Sequence, residues 1–246
     1  MGNTVVNSAP TYVPLGEQAL IVQYEKVISI QVTRRVQSCA HIIENNKIPG
    51  IQQVIPSYNC ITIYYDPITI AFDKLVEKLR CLDEDHSELP LIESKTIHLP
   101  VVFGGNYGPD LEEVSQQTGF SPEEVIQLLQ SKSYFVYMIG QFAGFPYCGD
   151  IDERLSVGRR SSPKLKVEKG TVLIVNNQTG VYPMTAPSGW HMVGWTPMEM
   201  FNPYREPPSL LRAGDCIQYI PIRADQAERW DEKRQREWDE EWNPLK

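Results

Sequence analysis

Apolar and polar positions follow two different rhythms along this chain, and the change of rhythm divides it. In the first third, extended and helical periods take turns. "ALIVQYE" (19–25) is an apolar run of strand length. "SIQVTRRVQSCAHIIENN" (29–46) spaces Ile30, Val36, Cys39, Ala40 and Ile43 mainly by three or four, which predicts an amphipathic helix broken by Pro49-Gly50. "IQQVIPSYNCITIYYDP" (51–67) predicts two strands joined around "PSYN". In "FDKLVEKLRCL" (72–82), Phe72, Leu75, Val76, Leu79 and Leu82 form the stripe of a second helix. The order is β-α-β-β-α, and "SKTIHLPVVF" (94–103) is available as a last strand. That would complete a split βαβ, ferredoxin-like α/β domain. The polar, proline-bearing "DEDHSELPLIES" (83–94) is the candidate boundary.

Beyond it, "GGNYGPDLEEVSQQTG" (104–119) predicts a helix with Asp110, Glu112 and Glu113 at its positive amino end. "SPEEVIQLLQ" (121–130) predicts a shorter helix with Ser121 as cap, Pro122 first and Glu124 closing a capping box. The pattern then shortens. "YFVYMIG", "TVLIVNN", "WHMVGW" and "DCIQYIPI" are brief β runs split by Gly, Pro and Asn, as in a barrel or sandwich. "KVEKGTVLIV" and "LLRAGDCIQYI" each put a glycine where a hairpin corner would stand. In the charged tail, Trp230, Trp238 and Trp242 share a face if that segment is helical. The reading is therefore an α+β chain. It has a disordered leader (1–11), a ferredoxin-like domain (12–93), a barrel domain (94–224) and a charged tail of helical spacing (225–246).

Composition narrows the function. The chain has 246 residues, enough for two domains of about 100–150 residues each. Its formal charge of −8 argues against nucleic acid or an anionic membrane as partner. No segment reaches the roughly 18 apolar residues of a spanning helix. "MGNTVV" has Val6 where a myristoylation signal carries Ser or Thr. Cys39, Cys60, Cys81, Cys148 and Cys216 are scattered, which fits reduced thiols in a cytoplasmic protein and no metal site. His41, His86, His98 and His191 do not cluster. There is no phosphate loop, dinucleotide fingerprint, HExxH or nucleophile elbow.

Three stretches remain as candidate chemistry. "IGQFAGFPYCG" (139–149) combines glycines with aromatics and reads as a pocket wall or as a tight corner. "RLSVGRRSSPK" (154–164) brings Arg159 and Arg160 together, as an anion site or as a solvated loop. "VNNQTGVYPM" (175–184) follows an apolar strand with uncharged donors and acceptors able to orient a polar ligand. The alternative is an Asn-rich turn, which suits Asn176-Asn177 better than it suits Gln178-Thr179-Gly180. "SGWHMVGWTP" (188–197) adds Trp190 and Trp195.

These stretches, with "GGNYGPDLEEVSQQTGFSPEEVI" and "FNPYREPPSLLRAGDCIQYIPI", resemble in order and spacing the allophanate-hydrolase-subunit-1 family. That family is also described as carboxyltransferase subdomains C and D. It includes the B-type component of bacterial 5-oxoprolinase and a sporulation kinase inhibitor. The likeness runs from about Val13 to Ile222. It implies a ferredoxin-like first domain and a cyclophilin-like β-barrel second domain. It also implies a subunit that needs an A-type lactam-utilisation subunit and a C-type carboxyltransferase-like subunit for ATP-dependent opening of 5-oxoproline to glutamate. ATP would be bound at the level of the complex. As alternatives, the resemblance admits a regulator of a sensor histidine kinase, or a component acting on a urea derivative. Barrel shape alone does not imply prolyl isomerisation. Carried over, the substrate-facing set is Gln178, Thr179 and Tyr182, with Arg159 or Arg160 for an anionic group. Gly144, Phe145, Pro146 and Tyr147 would form the adjoining wall, with Trp195 nearby. The chain departs from the family at Asn176-Asn177, where two glycines are usual. Leu129 stands where a histidine is usual, and Gly140-Gln141-Phe142-Ala143-Gly144-Phe145 replaces a Gly-Phe-x-Pro-Gly-Phe run.

Overall fold

The structure is a computed structural model and describes residues 9–85 and 94–244. The chain forms two compact units, Met1–Glu93 and Ser94–Lys246.

In the first unit, strands β1 (Thr11–Pro14), β2 (Ala19–Gln23), β3 (Ile51–Pro56) and β4 (Cys60–Tyr65) build an antiparallel sheet in the order β1-β2-β4-β3. Helices α1 (Ile30–Asn45) and α2 (Phe72–Asp85) carry the apolar stripes anticipated from sequence. Helix α1 starts where Ser29 accepts a hydrogen bond from the Val32 amide. Val32, Val36, Cys39, Ala40 and Ile43 pack with Leu75 and Leu79 over Leu20, Val22, Ile61 and Ile63. This is one closed core of its own.

Two expectations are corrected here. Thr11 is not leader but the first residue of β1, paired with Gln23; residues 1–8 lie outside the described residues. The strand Thr96–Phe103 does not complete this sheet. It enters the second unit as β5, and β1 takes the edge beside β2. Eight residues with a buried run at Leu99–Val102 suit a strand flanked on both sides better than a sheet edge. Most of the candidate boundary, residues 86–93, lies outside the described residues.

The second unit is a closed seven-stranded barrel, consistent with a cyclophilin-like barrel. After β5 come α3 (Leu111–Thr118) and α4 (Pro122–Gln130), the latter opened by the Ser121–Glu124 capping box. The strands β6 (Tyr134–Ile139), β7 (Pro146–Gly149), β8 (Lys164–Val167), β9 (Thr171–Val175), β10 (Gln178–Val181), β11 (Ala186–Ser188), β12 (His191–Trp195) and β13 (Cys216–Pro221) follow. Around the barrel the order is β10-β7-β6-β13-β5-β12-β9, while β8 and β11 form a separate pair. Gly170 (φ +84°) and Gly214 (φ +96°) make the expected turns, but neither is a hairpin corner, because β8 pairs with β11 and Gly214 follows a loop. The interior is filled by Leu99, Val101, Tyr134, Val136, Ile174, Val193 and Tyr219 among others. Leu129 of α4 is fully buried in the same cluster.

The tail forms α5 (Ala224–Glu228) and α6 (Glu232–Trp242). Strand β12 meets β5 only at Val102 and Phe103, so the earlier part of that edge is outside the ladder. Helix α6 serves it instead. The Trp238 indole donates to the His98 carbonyl (2.9 Å), and the Asn243 side chain accepts from the His98 amide (2.7 Å).

Candidate functional site

The strand register decides which side chains share a face. Gln178 lies opposite Gly149 and Val175, Gly180 opposite Leu173, and Thr179 opposite Cys148 and Ile174. With a period of two, Tyr147, Gly149, Gln178 and Gly180 take the outer face, while Thr179 and Cys148 point into the barrel. On that outer face Phe145, Leu173, Val175, Tyr182, Trp190 and Met192 form a second apolar cluster, closed by Val167 of β8 and Ala186 of β11.

Gly180 makes this arrangement possible. A Cβ there would stand 2.7 Å from the Pro146 carbonyl oxygen and 3.0 Å from the Phe145 ring. Bare backbone lets Phe145 lie over the sheet. Its ring meets Tyr147 (4.7 Å), Tyr182 (5.3 Å) and Trp190 (5.9 Å) edge-on, the arrangement favoured by aromatic quadrupoles. The Tyr182 hydroxyl donates to the Pro187 carbonyl at 2.9 Å. The segment Gly140–Gly144 is the corner between β6 and β7, with Gln141 at φ +59° and Gly144 at φ +78°. The segment is thus a corner, with Phe145 packed over the sheet beyond it.

Phe145, Pro146, Tyr182 and Trp190 are buried, so the cluster is packed rather than hollow. Its accessible rim is polar. The Tyr147 hydroxyl donates to Gln141 Oε1 at 2.7 Å, and Gln178 is half-buried on the same face, opposite Gly149 two residues further along β7. Arg159 is exposed and has no ion-pair partner among the described residues. Its Nη1 lies 3.7 Å from where a Gly189 Cβ would be. Burial pushes the Tyr147 phenol up, Tyr182 adds to the rise, and the Arg159 charge draws it partly back.

Three other expected residues are engaged by partners within the fold. The Thr179 hydroxyl is fully buried between the Leu173 carbonyl (2.9 Å) and the Tyr219 hydroxyl (2.7 Å). Arg160 turns away from the rim to Asp110 (3.0 Å) and to Glu113. Trp195 donates to the Lys169 carbonyl at 2.8 Å and packs on Gly170, which ties down the turn before β9. Asn176 holds φ +48° in the two-residue turn between β9 and β10, a conformation Asn tolerates, and its amide donates to Val157. Gly144, Phe145, Pro146, Tyr147, Gln178 and Tyr182 are therefore brought together with Arg159, while Thr179, Arg160 and Trp195 are not.

Sequence reasoning missed two features. From sequence, Asp110 is a helix-dipole residue. Its carboxylate instead accepts from the Met192 amide (2.9 Å) and meets Arg160 and Lys164 (3.2 Å). No local signal joins residues that far apart in sequence. His191 is buried, with Nε2 3.0 Å from the Gly158 carbonyl. Among the described residues no group of three or more His, Cys, Asp or Glu is arranged to hold a metal. No helix among them is long and apolar enough to cross a membrane.

Sequence similarity places the chain that forms this barrel in a defined class. It belongs to the family described as carboxyltransferase domain, subdomain C and D, which residues 10–211 match. Among curated relatives, the 5-oxoprolinase B-type component of Bacillus subtilis (strain 168) is 36% identical over 222 residues, covering 85% of this chain and 91% of that protein. The crystal structure of TTHA0988 superposes with a TM-score of 0.74 at 28% identity, over 84% of this chain and 40% of that one. The K. lactis urea amidolyase shares the fold, with a TM-score of 0.73 at 19% identity over 89% of this chain and 15% of that one.

Proposed function

We propose that this chain is the B-type subunit of a 5-oxoprolinase, active only with A-type and C-type partner subunits. The observation that carries the reading is the 36% identity to the B-type component of a 5-oxoprolinase over 91% of that protein's length. The reaction adds water across the lactam C–N bond of 5-oxoproline to give glutamate, driven by ATP. The geometry supports a shared site. Arg159, Tyr147, Gln141 and Gln178 form an open rim, half a site that a second surface would close. Arg159 holds the substrate carboxylate, because its charge is unspent while that of Arg160 is balanced by Asp110 and Glu113. The amides of Gln141 and Gln178 orient the lactam, whose ring lies against Tyr147. Fixed donors at such a site contribute about 3–4 kcal/mol each to stabilising developing negative charge. ATP belongs to this reading at the level of the complex, and the chain itself carries no phosphate loop.

In the first unit the sheet order β1-β2-β4-β3 supports a ferredoxin-like layout, with β1 in the place of the final strand. Leu129 is a core residue and Asn176 a turn residue. Neither departure from the family pattern therefore speaks for a kinase regulator. Co-expression with A- and C-type subunits should yield ATP-dependent glutamate from 5-oxoproline; an assembled complex without turnover defeats the proposal.

A further inference from the structure

Gln141 stands in the corner between β6 and β7 with φ +59°, a left-handed backbone that favours glycine. The Phe142 amide donates to the Gly140 carbonyl at 2.7 Å, so Gln141 is the middle residue of a three-residue turn. With a positive φ at its centre, such a turn is of the rare and strained hand. The corner around it is closed. The Gly140 amide donates to the Phe145 carbonyl (3.1 Å), and the Phe145 amide donates to the Phe142 carbonyl (3.1 Å). Strain of this kind persists only where the surroundings over-determine it, and it collects at binding sites.

Stability does not call for glutamine there. The residue is exposed, and its side chain makes one hydrogen bond among the described residues, received from the Tyr147 hydroxyl at 2.7 Å. An exposed hydrogen bond adds little to folding. This one fixes the amide instead. With Oε1 accepting from the phenol, both N–H groups of Nε2 remain uncommitted. The Arg159 charge acts on the same phenol. A cation draws the phenol's lone pairs towards itself, which leaves the phenol proton for Gln141. The next residue turns inward: the Phe142 ring meets Tyr182 edge-on at 5.9 Å. The corner thus gives its aromatic side to the core and its amide donors to the rim.

We propose that Gln141 is a specificity-determining residue whose Nε2 donates to the ring carbonyl oxygen of the substrate, with Tyr147 as the positioning residue that keeps the amide from turning over. The inference rests on the functional reading above. It adds the atom that tells a cyclic amide from a ring acid of the same shape. A rim with a guanidinium at one point and amide N–H groups at another takes a ligand with acceptors at both. A ring presenting N–H in place of the carbonyl would meet donor with donor and be rejected.

The test is competitive inhibition of 5-oxoproline turnover by the complex reconstituted from the full chain and its A- and C-type subunits. One probe is the cyclopentanone carboxylate that keeps the ring, carboxylate and carbonyl of 5-oxoproline but lacks its nitrogen. The other is cyclopentanecarboxylate, which lacks the carbonyl as well. The wild type should bind the ketone at least about fivefold more tightly. Gln141→Gly should shrink that preference to within about twofold. Its Tm should hold, because relief of the left-handed strain offsets the lost hydrogen bond. Tyr147→Phe, with the amide free to turn over, should also lower the ratio of the two inhibition constants. A wild type with no preference, or a preference that either variant leaves unaltered, overturns the inference while turnover keeps the functional reading standing. A fallen Tm in Gln141→Gly overturns it too, by assigning the residue to stability. No turnover from the wild-type assembly contradicts the functional reading itself, and the inference with it.

Discussion

Arg159 and Arg160 are neighbours in sequence with opposite surroundings. Arg160 is mostly buried against Asp110 and Glu113, whereas Arg159 faces water beside Tyr147. Removing the first should cost stability and removing the second should cost substrate. Arg160→Gln is expected to lower unfolding free energy by about 1–3 kcal/mol, the range for losing charged hydrogen bonds at a partly buried acid. Arg159→Gln should stay within about 0.5 kcal/mol, as surface changes do. In the assembled enzyme it should raise KM for 5-oxoproline. Urea midpoints and steady-state kinetics separate the two. Thr179→Val should cost about 1–3 kcal/mol by stranding the Tyr219 hydroxyl in the core, with KM unaltered. A raised KM at equal stability would move Thr179 into the site. Sequence places Gln178 and Thr179 together because both are polar. The register, which sequence does not display, puts them on opposite faces of one strand. The same alternation buries Cys148 next to Tyr219. Burial pushes both groups far above their ordinary values. Their contribution to stability is whole below about pH 8.5–10, where they ionise in the unfolded chain. It is lost as pH rises through their higher folded values. Melting curves from pH 8 to 11 should show falling Tm for the barrel unit; an unchanged Tm would contradict this burial.

At the scale of elements, local signals are the most legible. The stripes of α1 and α2 and the capping box of α4 can be read because spacing and capping act over a few residues. The runs that form β6, β9, β12 and β13 are visible for the same reason. What sequence does not reveal is pairing. Thr96–Phe103 looks like a fit for the nearest open sheet, but it lies parallel to β13, whose residues begin 120 positions later. Only the folded chain shows that β1 already fills the edge beside β2. The tail is another non-local case. Trp238 is 3% exposed, packs against the barrel cluster and, with Asn243, serves the His98 peptide on the free edge of β5. Trp238→Ala should therefore cost about 3–5 kcal/mol, as large-to-small changes in a core do. Thermal melts would contradict this if Tm held, since a tail lying loosely on the surface could lose the indole without effect.

At the scale of the whole molecule, each unit closes its own core, and the proposed site would lie on the outside of the barrel rather than inside it. Interior positions of a small barrel are filled by side chains, so ligand chemistry is pushed to a face and its loops. The family is legible from ordered motifs. The candidate site is legible only in part, because Tyr147 and Gln178 stand on two different strands, Gln141 in the corner before β7 and Arg159 in the loop before β8. The most direct test is turnover by the reconstituted complex of this chain with its A- and C-type subunits, supplied with 5-oxoproline and ATP. The prediction is glutamate formed only when all three are present, with KM raised by Arg159→Gln and unchanged by Thr179→Val. Equal glutamate formation with this chain omitted, or none from the complete assembly, would contradict the account.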